Sequence, residues 1–325
     1  MKKRVLVLLI IILLCLFLFL QSDSEKKTNS DIKTIAFISL SKVDDNTFSG
    51  FKEQMKKYGW NSSNIKYIFP GAANKKENLA PIIKSVIKEN PDLILVSSTP
   101  ATQEVKKLTL NSGIPIVFCP VNDPVSSNIV ENTQNPEGNI TGIRLPIGDS
   151  KRFEWLYKII PNVKRVIVPI SQNDGSSKSS LKDIKEVAEL LNIKVEEKTF
   201  SEDMTVEDFF KLYSENFDAI FLPRDSRVEV KIKEFAQYAI DKKIPLSAPS
   251  YQQVQKGALF TFGFIHTELG KDAARMADRI LKGINPSDLP VKFGNAYLVI
   301  NELTARKIGI EFPQSAIRNA KIIIK

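Results

Sequence analysis

One supersecondary unit is written twice in this chain. Residues 91–118 open with Pro91-Asp92-Leu93-Ile94-Leu95-Val96, pass through Ser97-Ser98-Thr99-Pro100, and close with Ile114-Pro115-Ile116-Val117-Phe118. Residues 218–248 open with Asp218-Ala219-Ile220-Phe221-Leu222, pass through Pro223-Arg224-Asp225, and close with Ile244-Pro245-Leu246-Ser247-Ala248. Each copy reads as an apolar strand, a polar turn, a helix, and a second short strand announced by Ile-Pro. A strand that is apolar throughout is buried on both faces, as in parallel sheets, and strand–helix–strand units build such sheets. A chain that makes the unit twice makes two similar lobes, and two lobes imply a cleft between them.

The wider pattern agrees. In the first half, 32–40, 64–69, 92–97 and 115–119 read as strands. Phe48, Phe51 and Met55 mark one helix face between them, and Leu79, Ile82, Ile83, Val86 and Ile87 mark another. The pattern restarts after Leu145-Pro146. Strands are expected at 165–170, 193–198, 219–222, 245–248, 258–262 and 297–300, with helices between them and an apolar tail at 320–324. The expected fold class is α/β: two doubly wound parallel-sheet lobes joined by hinge crossings near 144–146, 263–266 and 289–295. The expected division gives the first lobe 32–145 with 266–290, and the second 146–265 with 291–325. With 325 residues, 43% of them hydrophobic, the chain can fill two cores. Crossings of a few residues suit closure around a ligand.

Met1-Lys2-Lys3-Arg4 precedes an unbroken apolar run from Val5 to Leu20, and a polar tract follows. Positive start, apolar centre and polar exit are the parts of an export signal. As a helix the run spans about 24 Å, short of the roughly 30 Å hydrocarbon slab. Residues 1–24 are therefore expected to be an export signal or an uncleaved membrane anchor, and 25–31 a linker. The working location is periplasmic or cell-surface.

Composition excludes several chemistries. Cys15 lies in the apolar run, so Cys119 stands alone in the folded part and can form neither an internal disulfide nor a thiolate metal site. His266 is the sole histidine, which excludes a histidine metal cluster or relay; after a strand it reads as a surface or cleft-edge residue. The formal charge is +9, but no Lys/Arg stripe interleaved with aromatics marks a nucleic-acid surface. There is no G-x-S-x-G elbow, G-x-G-x-x-G, P-loop, HExxH or CxxC. Asp44-Asp45, the nearest thing to a carboxylate pair, reads as a solvated turn. No enzyme, cofactor or metal is expected.

Ligands in open parallel sheets bind beyond the carboxyl ends of the strands, and that rule selects a few turns. Ser98, Thr99, Pro100 and Ala101 form the sharpest. Thr99 reads as the N-cap and Pro100 as the first helical turn, so a positive helix end faces the cleft, suited to a carboxylate or phosphate. Asp123 either binds an ammonium or closes an Asx turn. Arg224 can fork onto a carboxylate, and Asp225 either caps the next helix or meets an ammonium. Ser176, Ser177 and Ser250 complete the candidate set.

These turns carry a family resemblance. The segments are Pro91 to Leu95, Thr99-Pro100-Ala101-Thr102-Gln103, Ile114 to Phe118, Val121-Asn122-Asp123-Pro124-Val125 and Asn135 to Gly142. Gly257-Ala258-Leu259, Glu268-Leu269-Gly270, Ile280 to Gly283, Pro286 and Leu289-Pro290 follow. Together the chain resembles the ABC-transporter substrate-binding proteins of the tryptophan/tyrosine-type group. The resemblance implies a type I periplasmic-binding-protein fold, an amino acid or similar small ligand, an ABC permease with its ATPase as partner, and a monomer that binds no nucleic acid. The alternative is an extracytoplasmic ligand-sensing module for a membrane signalling partner. The chain departs from the family pattern at Asn122, where Thr is usual, at Arg224, where the family has Pro-Thr-Asp, and at Ser176, where it favours Asn-Ser.

Overall fold

A computed structural model describes residues 32–325 except 147, 172–174, 202 and 214–215. The export and linker readings of 1–24 and 25–31 lie outside the described residues. Strands β1 (Lys33–Ser39), β2 (Ile65–Ile68), β3 (Leu93–Ser97), β4 (Ile116–Val121) and β5 (Ile140–Arg144) are joined through helices α1 (Asp45–Lys57), α2 (Leu79–Lys88) and α3 (Thr99–Leu108). The pattern then repeats: α4 (Asp149–Ile159), β6 (Arg165–Ile170), α5 (Gly175–Leu190), β7 (Lys194–Thr199), α6 (Val206–Leu212), β8 (Ala219–Phe221), α7 (Ser226–Val230), α8 (Ile232–Asp241), β9 (Leu246–Ser247), α9 (Tyr251–Gln255) and β10 (Phe260–Gly263). The chain closes with α10 (His266–Leu281), β11 (Lys292–Phe293), β12 (Tyr297–Asn301), α11 (Glu302–Ile308), α12 (Gln314–Asn319) and β13 (Ala320–Ile324).

The two sheets share one plan. The first has the order β11-β5-β4-β3-β1-β2, all parallel. The second runs β13-β12-β10-β9-β8-β6-β7, parallel except between β10 and β12. Read outward from β2 and from β7, both begin 2-1-3-4-5. The duplicated sequence unit therefore falls at the same place in each, as β3–α3–β4 and as β8–α7–α8–β9.

Two differences from the sequence reading stand out. Strand β5 was not anticipated; it is only five residues long, and Thr141 and Gly142 interrupt its apolar pattern. Lys292–Phe293, expected in the second lobe, pairs with Ile143 and Arg144 in the first sheet. The third crossing thus follows β11 and runs beside the first, where Gly294 N donates to Arg144 O at 2.8 Å.

Each sheet is covered on both faces. Ile35, Phe37, Leu93 and Leu95 face α1 and α10, while Ala36, Ile38, Ile94 and Val96 face α2 and α3. The period of two along each strand produces this split. Phe37 and Phe48 stack at 4.6 Å, a geometry that adds about 0.5–1.5 kcal/mol beyond the area it buries. Helices α1 and α10 cross at Gly50 and Gly270; a Cβ there would stand 2.0 Å from Thr267 O and 1.9 Å from Thr47 O. Only a hydrogen fits, and this lets α10, which arrives from the second lobe, seat against the first sheet.

Candidate functional site

The carboxyl ends of the two sheets face each other. Arg224, after β8, donates from Nη1 to Oδ1 of Asn122, after β4, at 3.2 Å. With a bond between His266 and Gln252 at the second crossing, this is one of two side-chain hydrogen bonds that join the lobes among the described residues. The order reverses between β1 and β3 in one sheet and between β6 and β8 in the other, and crevices open at such points.

On the first wall, Ser98 rather than Thr99 is the N-cap of α3, because Ser98 Oγ accepts from Ala101 N at 3.4 Å. Pro100 lies in the first turn, as its fixed φ and missing N–H allow. Ser98 is held at φ +81°, a conformation costing of order 1–3 kcal/mol for a residue with a Cβ. Its carbonyl is fixed by Thr102, whose N and Oγ1 donate to it at 3.0 and 2.7 Å. Thr99 Oγ1 accepts a long bond from Asn122 N at 3.5 Å. Asp123 closes an Asx turn, accepting from Val125 N at 3.1 Å and Ser126 Oγ at 2.9 Å, with Arg144 at 4.0 Å.

The second wall is an ion network. Arg224 Nε lies 3.2 Å from Asp149 Oδ2, and Arg152 Nη2 donates to Asp149 Oδ1 at 2.9 Å. The Ser180 hydroxyl also donates to Asp149. Burial alone would raise the Asp149 carboxyl; Arg224, Arg152 and Ser180 outweigh it and hold it below the usual aspartate range. Arg152 is fully enclosed, donates to Leu222 O at 2.8 Å, and lies 3.8 Å from the centre of the Phe221 ring. Burial pulls its pKa down to about 10, so it remains a cation at neutral pH.

Asp225 is fully enclosed, and its carboxylate is taken up within its own lobe. It accepts from Ser171 N at 2.8 Å, Ser171 Oγ at 2.9 Å, the Ser177 hydroxyl, Arg227 N at 3.0 Å and Val228 N at 3.4 Å. It caps α7 and joins Ser171, which follows β6, to Ser177 in α5. Ser176 lies in the first turn of α5, its side chain outside the described part. Ser250 is buried in a capping box, with N and Oγ both donating to Gln253 Oε1 at 3.0 Å. Of the anticipated residues, the structure links Thr99 to Arg224 through Asn122, and Ser177 to Asp225.

Asp149, Arg152 and Ser180 were missed. Their sole signal was an Asp-x-x-Arg spacing at a helix start, common on solvated helices. Asp44, read as part of a solvated turn, is buried instead, because the short 3₁₀ turn Lys42–Asp44 folds it back under the end of β1.

His266 is also buried rather than exposed, with Nδ1 2.9 Å from Gln252 Oε1. Burial, with Lys256 nearby, pushes its pKa down to about 4. The unfolded chain would protonate near the ordinary value of 6.5 while the folded chain resists. Stability is therefore complete above that value and falls as pH drops toward about 4, by up to about 3 kcal/mol from this residue. Urea unfolding across this range should show the loss in the wild type and a shallower one in His266→Gln. Equal slopes in the two would remove the assignment.

Comparison with known proteins agrees with this geometry. A family model described as ABC transporter substrate binding protein matches residues 31–324. A tyrosine-binding protein of Clostridioides difficile (strain R20291) is 26% identical over 294 residues, spanning 90% of this chain and 84% of that protein. A domain from Streptococcus pneumoniae solved in complex with L-Trp superposes with a TM-score of 0.81 at 24% identity, covering 91% of this chain and 100% of that one. The ligand-free, open structure of a substrate binding protein with adhesive properties from Clostridium difficile gives 0.72 at 27% identity, covering 90% and 100%. Among the described residues no helix is long and apolar enough to cross a membrane. The match over nearly the whole chain, on two lobes of one plan with polar carboxyl ends opposed, places this protein in the family of ABC transporter substrate-binding proteins.

Proposed function

We propose that this chain, exported under the direction of residues 1–24, captures an amino acid between its lobes as a monomer and delivers it to an ABC permease with its ATPase, without making or breaking bonds. The observation that carries this reading is the polar relay across the cleft, Thr99–Asn122–Arg224–Asp149, which couples the two walls. Arg224 and the N-terminal turn of α3 offer a cation and a helix dipole to a carboxylate from opposite sides. The names of the relatives, tyrosine-binding and L-Trp-bound, favour an amino acid with an aromatic body.

Thermal unfolding and titration calorimetry with the common amino acids test this. A true ligand at 100 times its Kd should stabilise the fold by about 2.7 kcal/mol. Tyrosine or tryptophan should give that response. No shift and no heat with any amino acid would sink the reading.

A further inference from the structure

The amino-acid reading leaves one group unassigned, the ammonium: Asp123 is turned onto its own loop, and Asp225 is saturated. The first sheet holds a different acid. Ser39 and Ser97 end β1 and β3 and are register partners. Each stands two residues beyond Phe37 and Leu95, so it shares their face, toward α1 and α10. Thr47 lies in the first turn of α1, the helix packed on that face. All three hydroxyls are buried and none has a hydrogen-bond partner. Buried polar groups are rarely left unpaired, and three at one place call for an explanation.

Asp44 lies beside them. It is buried, yet no Lys or Arg stands within ion-pair distance of it among the described residues, and it accepts one long bond, from Ser41 N at 3.3 Å. Burial pushes its carboxyl up to about 6; the Ser97 hydroxyl, near but outside hydrogen-bond geometry, draws it partly back, and Asp45 pushes it further up. Of the neighbouring titratable groups, Cys119 on β4 is a buried thiol, and Asp272 on α10 is a further acid, itself paired with Arg275. The other buried aspartates differ: Asp149 has two arginines, Asp278 has Lys282 and the Trp60 indole, and Asp225 has five hydroxyl and backbone donors.

Resting on the amino-acid reading, we propose that Ser39, Asp44, Thr47 and Ser97 form the first-lobe half of the ligand site and receive the ligand's primary ammonium. An ammonium carries three N–H donors and one charge. The group offers three hydroxyl acceptors and one carboxylate, with no competing donor of full charge among the described residues. The pairing also orients the ligand, since the cation, Arg224, belongs to the opposite lobe. Beside the group, Phe69 packs on Phe37 and Phe48 at 5.2 and 5.4 Å and stays partly exposed, an apolar surface suited to an aromatic ligand body.

Calorimetry at neutral pH with L-tryptophan, L-tyrosine and their deamino analogues, 3-indolepropionate and 3-(4-hydroxyphenyl)propionate, tests the assignment. The wild type should prefer each amino acid by at least about 100-fold, since the analogue leaves buried polar groups unpaired. Asp44→Asn should erase most of that preference and leave the analogues within about threefold of their wild-type affinity. Because Asp44→Asn can disturb the fold, Thr47→Val serves as a second variant, and should weaken the amino acids alone by about fivefold. Wild type that binds analogue and parent equally, or folded Asp44→Asn that keeps the preference, overturns the ammonium role and leaves the amino-acid reading standing. Silence with every amino acid overturns that reading and the assignment with it. Binding that follows added sodium or potassium rather than the ammonium would assign the group to a metal cation instead, against the proposal.

Discussion

Replacing Asp149 by alanine is expected to destabilise the fold by about 3–5 kcal/mol, the cost of stranding a buried charge by removing its partner. Asp149 accepts from Arg152 at 2.9 Å, from Ser180, and pairs with Arg224 at 3.2 Å. Without it, Arg152 keeps the Leu222 carbonyl at 2.8 Å, a 3.5 Å contact with Ser247 Oγ and the face of Phe221, with only the more distant Glu229 carboxyl as a counter-charge. Arg152 cannot swing into water, because its side chain is fully enclosed. Urea unfolding should show a lower midpoint with an unchanged slope, the mark of lost stability rather than an altered unfolded chain. The same carboxylate shapes the acid response. Folding lowers its pKa, so its contribution is present above the ordinary aspartate range and drains as pH falls through the folded value. A midpoint within experimental error of the wild type would show that this network is not what holds the second wall.

Replacing Arg224 by alanine should separate binding from folding. Its guanidinium joins Asp149 on its own lobe to Asn122 on the other. In its absence Asp149 still has Arg152 and Ser180, so stability should move by no more than about 1–2 kcal/mol. Ligand affinity should fall by about 30-fold or more, because truncating one member of a desolvated, hydrogen-bonded charge pair costs about 2–5 kcal/mol. Arg224→Lys should recover only part of this, since a lysine keeps the charge and loses the fork that reaches two partners at once. Small-angle scattering should show the alanine variant more open at equal ligand saturation. Unchanged affinity together with a large loss of stability would make Arg224 a structural partner of Asp149 and nothing more.

The architecture was legible because periodicity is a local property. The all-apolar runs at 93–96 and 219–221 lie in strands buried on both faces, and the Ile-Pro dipeptides announced β4 and β9 correctly. Strand β5 escaped because it is short and interrupted by Thr141 and Gly142, and β11 because two residues carry no periodicity. The N-cap of α3 slipped by one residue, from Thr99 to Ser98, since both carry a hydroxyl and only the backbone distinguishes them. Among the site residues, the turns were found but not their partners. Asp225 was visible as a carboxylate at a strand end; that five donors would converge on it was not.

What this sequence determines by itself is the doubled plan: two parallel sheets of like order, with polar turns at their carboxyl ends. Alternation and helical spacing act over a few residues, and a repeated unit folds the same way twice. The tertiary structure alone decided which polar groups meet. Arg224 reaches Asn122 and Asp149, which lie far from it in sequence, and Asp44 was drawn under β1 beside three hydroxyls, with no Lys or Arg within ion-pair distance among the described residues. Such pairings arise when lobes and crossings bring distant turns together. Burial then removes the water that would otherwise make each of those charges ordinary.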